Sequence, residues 1–204
     1  GPMMKREQAR MRQIAKVTGT TKADAENFLT TWLESSNNKH LGSLAIQEEA
    51  AALWDAPLTA WQAEKLGAAK IAREKRVEQI FTLAERYHET TDDVFEQILS
   101  GFKTTELYPF EGDMRKRYLA EKKAGQVIRT REAALAWLAA SEAKGREATR
   151  KALAFVYQNT QAALAEAGIT HVMAYRGVSA EPKTYQKYEA GDTLAFNANT
   201  LSSW

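Results

Sequence analysis

From Leu58 to Leu99 the apolar residues keep a helical period. Leu66, Ile71, Val77, Ile80, Phe81, Leu83 and Ala84 recur at that spacing, and after one break Phe95, Ile98 and Leu99 resume it. A run this long with the same period makes this stretch of the chain helical. The flanking segments agree. In "VTGTTKADAENFLTTWLESSNN", Thr20 or Thr21 is placed to cap a helix carrying Ala25, Phe28, Leu29, Trp32 and Leu33, with Ser35 to Asn38 ending it. "LGSLAIQEEAAALWD" repeats the pattern, with Ser43 expected as cap, Gln47 near the first turn, and Leu44, Ile46, Ala50, Leu53 and Trp54 as the apolar side. Pro57 is expected in the first turn of the next helix, where its missing N–H costs nothing. Residues 3 to 16 predict a short or frayed helix with a weak apolar stripe.

Further along, Thr90 or Thr91 is expected to cap a helix ended by Gly101, and "FKTTELYPFEGD" reads as a turn region. The main boundary is expected between that region and Gly125. Two alanine-rich helices follow: Thr130 opens the first, Gly145 separates them, and Gly168 closes the second. Residues 131 to 167 fit either the region before them or the one after. At His171 the period changes. "ITHVMAYRGV" alternates like a strand, "SAEPKTYQKYEAG" is loop-like, and "DTLAFNANTLSSW" opens with a short strand or turn. The expected fold is therefore mainly α with a small C-terminal β part, an α+β arrangement. Its parts are an expression scar at 1–2, a helical region over 3–125 and a different unit over 126–204.

Composition excludes several chemistries. There is no cysteine, hence no disulfide, thiolate metal site or thiol nucleophile. No run of eighteen apolar residues marks a membrane span, and the start lacks the apolar core of a signal peptide. His40, His88 and His171 have no metal-ligating neighbours at helical or strand spacing. Asp92 and Asp93 suit the N-terminal charge of a helix. Trp32, Trp54 and Trp61 read as buried core. Residues 113–131 carry seven bases against two acids, read as a solvated helix face; thin aromatic interleaving argues against a nucleic-acid patch.

The residues with chemical promise lie late. Tyr175, Arg176 and Gly177 end the expected strand. An arginine there offers a planar five-donor fork matched to phosphate, and the glycine lets a ligand approach the backbone. Ser202 and Ser203, just before Trp204, carry hydroxyls able to brace a sugar or orient a carboxylate. Together, "FVYQNTQAALAEAGITHVMAYRGV" and "LSSW" resemble the front half of an R-S-E class mono-ADP-ribosyltransferase of the kind found in phages and bacterial toxins. The resemblance covers about residues 131 to 204.

It implies NAD as substrate and an ADP-ribosyltransferase-like domain over 126–204. It gives Tyr175, Arg176 and Gly177 to NAD binding, and the serine motif to Ser202 or Ser203. With Ser203 as its first position, Trp204 is the middle one, and the serine or threonine of the family pattern would follow. The family's next signature, Q/E-x-E with the catalytic glutamate, is not found and is expected after Trp204. Glu181, Glu189 and Asp192 precede the serine motif, so no catalytic residue is assigned. The resemblance thus implies a longer active parent and an inactive 204-residue chain. It also implies a macromolecular, protein acceptor and a cytoplasmic, virion-associated or exported location without a classical signal peptide. The other reading is a helical structural or interaction protein, in which 3–125 docks to a phage head or an immunity partner and the transferase-like end is a tail.

Overall fold

The computed structural model describes residues 2–34, 41–55, 57–102 and 107–172. Seven α-helices account for most of them: α1 (Pro2–Thr18), α2 (Lys22–Glu34), α3 (Leu41–Trp54), α4 (Ala60–Tyr87), α5 (Thr91–Ser100), α6 (Met114–Lys123) and α7 (Arg131–Glu166). A 3-10 turn, Pro109–Glu111, sits between α5 and α6.

Local chemistry sets the boundaries. Thr21, Thr90, Asp113 and Thr130 each accept a backbone N–H three residues on, satisfying a donor that the first helical turn leaves free. Pro57 lies before α4 rather than in it. The start is fixed by a reciprocal capping box, in which Thr59 Oγ1 accepts from Gln62 N and Gln62 Oε1 accepts from Thr59 N. Ser43 is likewise no cap. It lies inside the first turn of α3, buried, and accepts from the Gln47 amide, which accepts in turn from Gln62.

The expected α+β fold is corrected to all-α: among the described residues there is no strand. After α7 the chain turns through Gly168 (φ 66°), whose N–H reaches the Ala165 carbonyl while Ile169 N–H reaches Leu164. This double bond pattern closes a helix through a left-handed residue. Ile169 to Val172 then run without regular structure, with Ile169 and Val172 exposed. Alternating apolar residues form a stable strand only against a partner edge, and the described residues offer none. The rest of the expected β part, from residue 173 to Trp204, lies outside the described residues.

Two further expectations are corrected. Gly145 separates nothing: α7 passes through it unbroken for 36 residues. A Cβ there would stand 3.0 Å from Glu111 Cγ and 3.3 Å from Tyr108 Cβ, so the bare backbone is where α7 lies against the 3-10 turn. Trp54 and Trp61 are 40% and 53% exposed; of the three tryptophans expected inside, Trp32 alone packs against the core.

Three apolar clusters form the core, two of them holding residues of the turn segment. One joins Met11 and Ile14 of α1, Phe28 of α2, Ile46 of α3, Phe110, and Ala148, Ala152 and Leu153 of α7. The second joins Val77 and Phe81 of α4, Phe95 and Ile98 of α5, Tyr118 of α6, and Ala134 of α7. The third is Leu44, Leu66, Leu107 and Tyr108. Helix α7 therefore serves the second cluster with its first half and the first with its second half. Residues 131–166, which the sequence left open, pack on α1, α3 and the turn.

Candidate functional site

The turn at Pro109–Glu111 collects the most buried polar chemistry. Glu111, 4% exposed, accepts two parallel hydrogen bonds from Arg73 of α4, Nη1 to Oε2 at 2.8 Å and Nη2 to Oε1 at 2.9 Å. Ser141 of α7 donates to Oε1 at 3.2 Å. Arg117 of α6 bonds the Glu111 carbonyl at 2.9 Å and Ser141 Oγ. Both guanidiniums stack on aromatic faces, Arg73 on Phe102 and Arg117 on Trp137, each 4.7 Å from the ring centroid. The Glu111 carboxylate thus ties α4 to α7, and the carbonyl's bond from Arg117 adds α6.

A second buried carboxylate, Glu49 of α3, is wholly inaccessible. It takes Arg146 Nε on Oε1 at 2.6 Å and Arg150 Nε on Oε2. Both arginines come from α7 and reach solvent, at 35% and 48% exposure. The hydrogen bond that Arg146 donates to Glu49 holds the arginine's pKa above its ordinary range, against the opposing pull of burial. Tyr108 lies nearby, fully buried. Its hydroxyl makes no hydrogen bond of ordinary geometry among the described residues. Burial, with Glu142 and Glu48 close enough to add to it, pushes its pKa far up. A third cluster crosses α5 and α6, where the Tyr118 hydroxyl and Lys122 both donate to Asp92 and Lys122 also reaches Glu96 at 2.7 Å. Burial raises the Asp92 pKa, but those bonds outweigh it and hold the carboxyl below its usual range. Tyr118 is pushed up to about 12, by burial first and by Asp92 second.

Beside the turn lies an open cleft of about 1070 Å³ between the α1–α2 connection, the start of α6 and α7. Its walls include hydroxyl, amide and amine groups: Thr18, Thr20, Thr30, Asn27, Lys116 and Lys144. Asn27 also bonds the Pro109 carbonyl at 3.2 Å, tying the wall to the turn. No histidine lines this cleft, and no group of three metal-ligating side chains occurs among the described residues.

The residues singled out from the sequence, Tyr175, Arg176, Gly177, Ser202 and Ser203, lie outside the described residues, as does His40. Trp204, the middle of the expected serine motif and the point after which the catalytic glutamate is expected, lies outside them too. His88 is the left-handed cap of α4, and His171 is exposed beside Thr170. Of the acid pair, Asp92 enters the tyrosine–lysine cluster and Asp93 binds the Thr90 cap. The basic run is partly spent in structure, with Arg117, Lys122 and Arg131 all paired. Sequence reading missed Arg73, Ser141, Glu49, Arg146 and Arg150. A charged residue buried by its partner looks, in sequence, like any solvated one. Among the described residues no helix is long and apolar enough to cross a membrane. No family model, curated protein or solved structure matches this chain.

Proposed function

We propose that the chain is the helical front part of an NAD-dependent mono-ADP-ribosyltransferase, with Tyr175–Gly177 as its first NAD-binding element. The observation that supports this reading is the end of α7. Gly168 stops the helix, and exposed Ile169 and Val172 lead directly towards Arg176 in the chain. A clamped helical body thus hands over to the segment carrying the arginine–glycine pair.

In this reading Arg176 holds the NAD diphosphate through its guanidinium fork and fixes the nicotinamide ribose. Gly177 offers backbone groups to the nicotinamide, and Ser202 or Ser203 shapes the pocket wall. The C1′–N bond breaks with its electron pair leaving on nicotinamide, and the ribose ring gains positive charge as in glycoside cleavage. A carboxylate beside the ring would stabilise that charge. An acceptor nucleophile bonds to C1′ and loses its proton. Saturation-transfer NMR of NAD with the 204-residue chain tests the first step. Signals from the nicotinamide and ribose protons, lost in Arg176→Ala with unchanged helical circular dichroism, are expected. Equal signals from both proteins would sink the assignment.

A second reading, a helical interaction protein, is favoured by one feature. Trp54 and Tyr157 pack with ring centroids 5.6 Å apart on the α3–α7 surface while 40% and 49% exposed, beside exposed Leu53. Exposed aromatic patches of this kind commonly mark contact surfaces. Light scattering after size exclusion distinguishes the readings: an oligomer dispersed by Trp54→Glu with Tyr157→Glu supports the interaction protein, and a monomer unaffected by them removes its support.

A further inference from the structure

Helix α1 carries Lys5, Arg6, Arg10, Arg12 and Lys16 against a single acid, Glu7. That excess of four is twice the net charge of the whole chain, so everything outside α1 sums to a net negative charge. All five cations are exposed, and none forms an ion pair among the described residues. At 100° per residue, Lys5, Arg12 and Lys16 form one row along the helix and Arg6 and Arg10 another, either side of a neutral strip made by Ala9 and Gln13. The apolar side of α1, Met11, Ile14 and Ala15, is already used in the core.

Among the described residues, the neighbouring elements do not neutralise this face. From Ala152 to Ala165, α7 carries no charge. The groove of about 510 Å³ that it forms with α1 is lined by Arg10, Gln13, Asn159 and Thr160 over an apolar floor, and by no carboxylate. On α2, Asp24 is engaged by its own helix start and, like Glu26, faces the other cleft.

We propose that the α1 face with the α1–α7 groove binds the phosphate backbone of nucleic acid without sequence preference. Cations four and seven residues apart stand about 6 and 10 Å apart along the helix, a spacing suited to successive phosphates. Side-chain amides beside them supply the hydrogen bonds commonly made to phosphate and sugar. A protein partner would call for an aromatic or apolar centre among the cations, and between the two rows Ala9 and Gln13 provide none; the groove's apolar residues, Phe155, Val156, Ala163 and Leu164, belong to α7 and not to the cationic face. A membrane surface would need the apolar side of α1, which the core has taken. The inference does not depend on the transferase reading.

The test is fluorescence anisotropy with a labelled single-stranded RNA of about 20 nucleotides and a duplex DNA of the same length, titrated between about 50 and 200 mM salt. Lys5→Glu/Arg12→Glu/Lys16→Glu is compared with a charge-matched control on α4 and α6, Lys75→Glu/Arg115→Glu/Lys123→Glu. Circular dichroism verifies that both fold. Binding by the wild type, weakened at least about tenfold in the α1 variant, is expected. For RNA, three lost contacts at about 0.7 each lower the log–log salt slope by about 2, with the control slope unchanged. No binding of either probe at the lowest salt overturns the proposal, as does equal weakening by the control. Competition by polyglutamate as effective as unlabelled RNA assigns the face to an acidic protein instead.

Discussion

Glu111 and Glu49 are both buried glutamates paired with arginines, yet the two sites differ in kind. Around Glu111 the partner is buried too. Arg73 is 11% exposed, bidentate and stacked on a ring, and a serine takes a further lone pair. Around Glu49 only the carboxylate is buried; its two arginines stand half in water and each gives one nitrogen. Burying charge is costly, and Coulombic attraction repays it only where geometry and additional hydrogen bonds are complete. The first site satisfies that condition by sealing. The second satisfies it by duplication, since either arginine still leaves the carboxylate a partner. One is therefore intolerant of change and the other is buffered.

Removing the sealed carboxylate is the strongest way to break this contrast. Glu111→Ala removes the bidentate carboxylate from largely buried Arg73 and the acceptor of the Ser141 hydroxyl, at an expected cost of about 3–5 kcal/mol. Urea denaturation would read it; a loss no greater than that of Arg150→Ala would contradict the distinction. Next comes Gly145→Val, which forces a branched side chain against Glu111 and Tyr108 and is expected to cost about 1–3 kcal/mol by overpacking. A neutral or stabilising result would mean that α7 can shift away from the turn without penalty.

The Asp92–Tyr118–Lys122 cluster sharpens the comparison through pH. The folded pKa of Tyr118 is raised from 10.0 to about 12. Its contribution is whole below pH 10 and falls away as pH rises through 12, because the unfolded chain gives up the proton first. Tyr108, also raised, adds to the same slope. Tyr118→Phe should therefore make the fall of stability between about pH 10 and 12 visibly less steep without abolishing it; an unchanged slope would place the phenol in an ordinary environment. Asp92 has the opposite sign. Its depressed pKa contributes stability above the usual carboxylate range that is lost in acid. The smallest effect is expected from Arg150→Ala, at about 1 kcal/mol or less since Arg146 remains and the lost contact is half solvated. Paired with Arg146→Ala, the double loss should exceed the sum of the single ones, which thermal melts of all three variants would reveal.

The helices were legible because their causes are local. The period from Leu66 to Ala84, the Thr90 and Thr130 caps and the Gly168 stop each depend on residues a few positions apart. Thr59 and Gln62 were equally local, yet Pro57, three residues before helix α4 begins, drew attention away from them. Gly145 was misread for a different reason. Glycine favours a helix break by propensity, but what holds it here is contact with Glu111 and Tyr108, more than thirty residues earlier. The tryptophans fail similarly. Helical spacing puts Trp54 on the same apolar side as Leu44, Ile46 and Ala50, which are buried, and only the three-dimensional arrangement leaves the end of that side, Leu53 and Trp54, 40% exposed. The buried ion pairs were least legible, because the sequence of Arg73, Glu49 or Arg146 records charge and not burial.

The first core cluster joins the beginning of the chain to its far half, Met11, Ile14 and Phe28 to Ala148, Ala152 and Leu153. During synthesis at about 5–20 residues per second, α1 and α2 leave the ribosome on the order of ten seconds before the part of α7 that covers them. For that interval their apolar faces have only each other and, as they emerge, Ile46 of α3 and Phe110. The nascent chain must pass through a stage in which a cationic helix and an uncovered greasy seam travel together. A newborn copy is thus most exposed to wrong partners before its longest helix arrives.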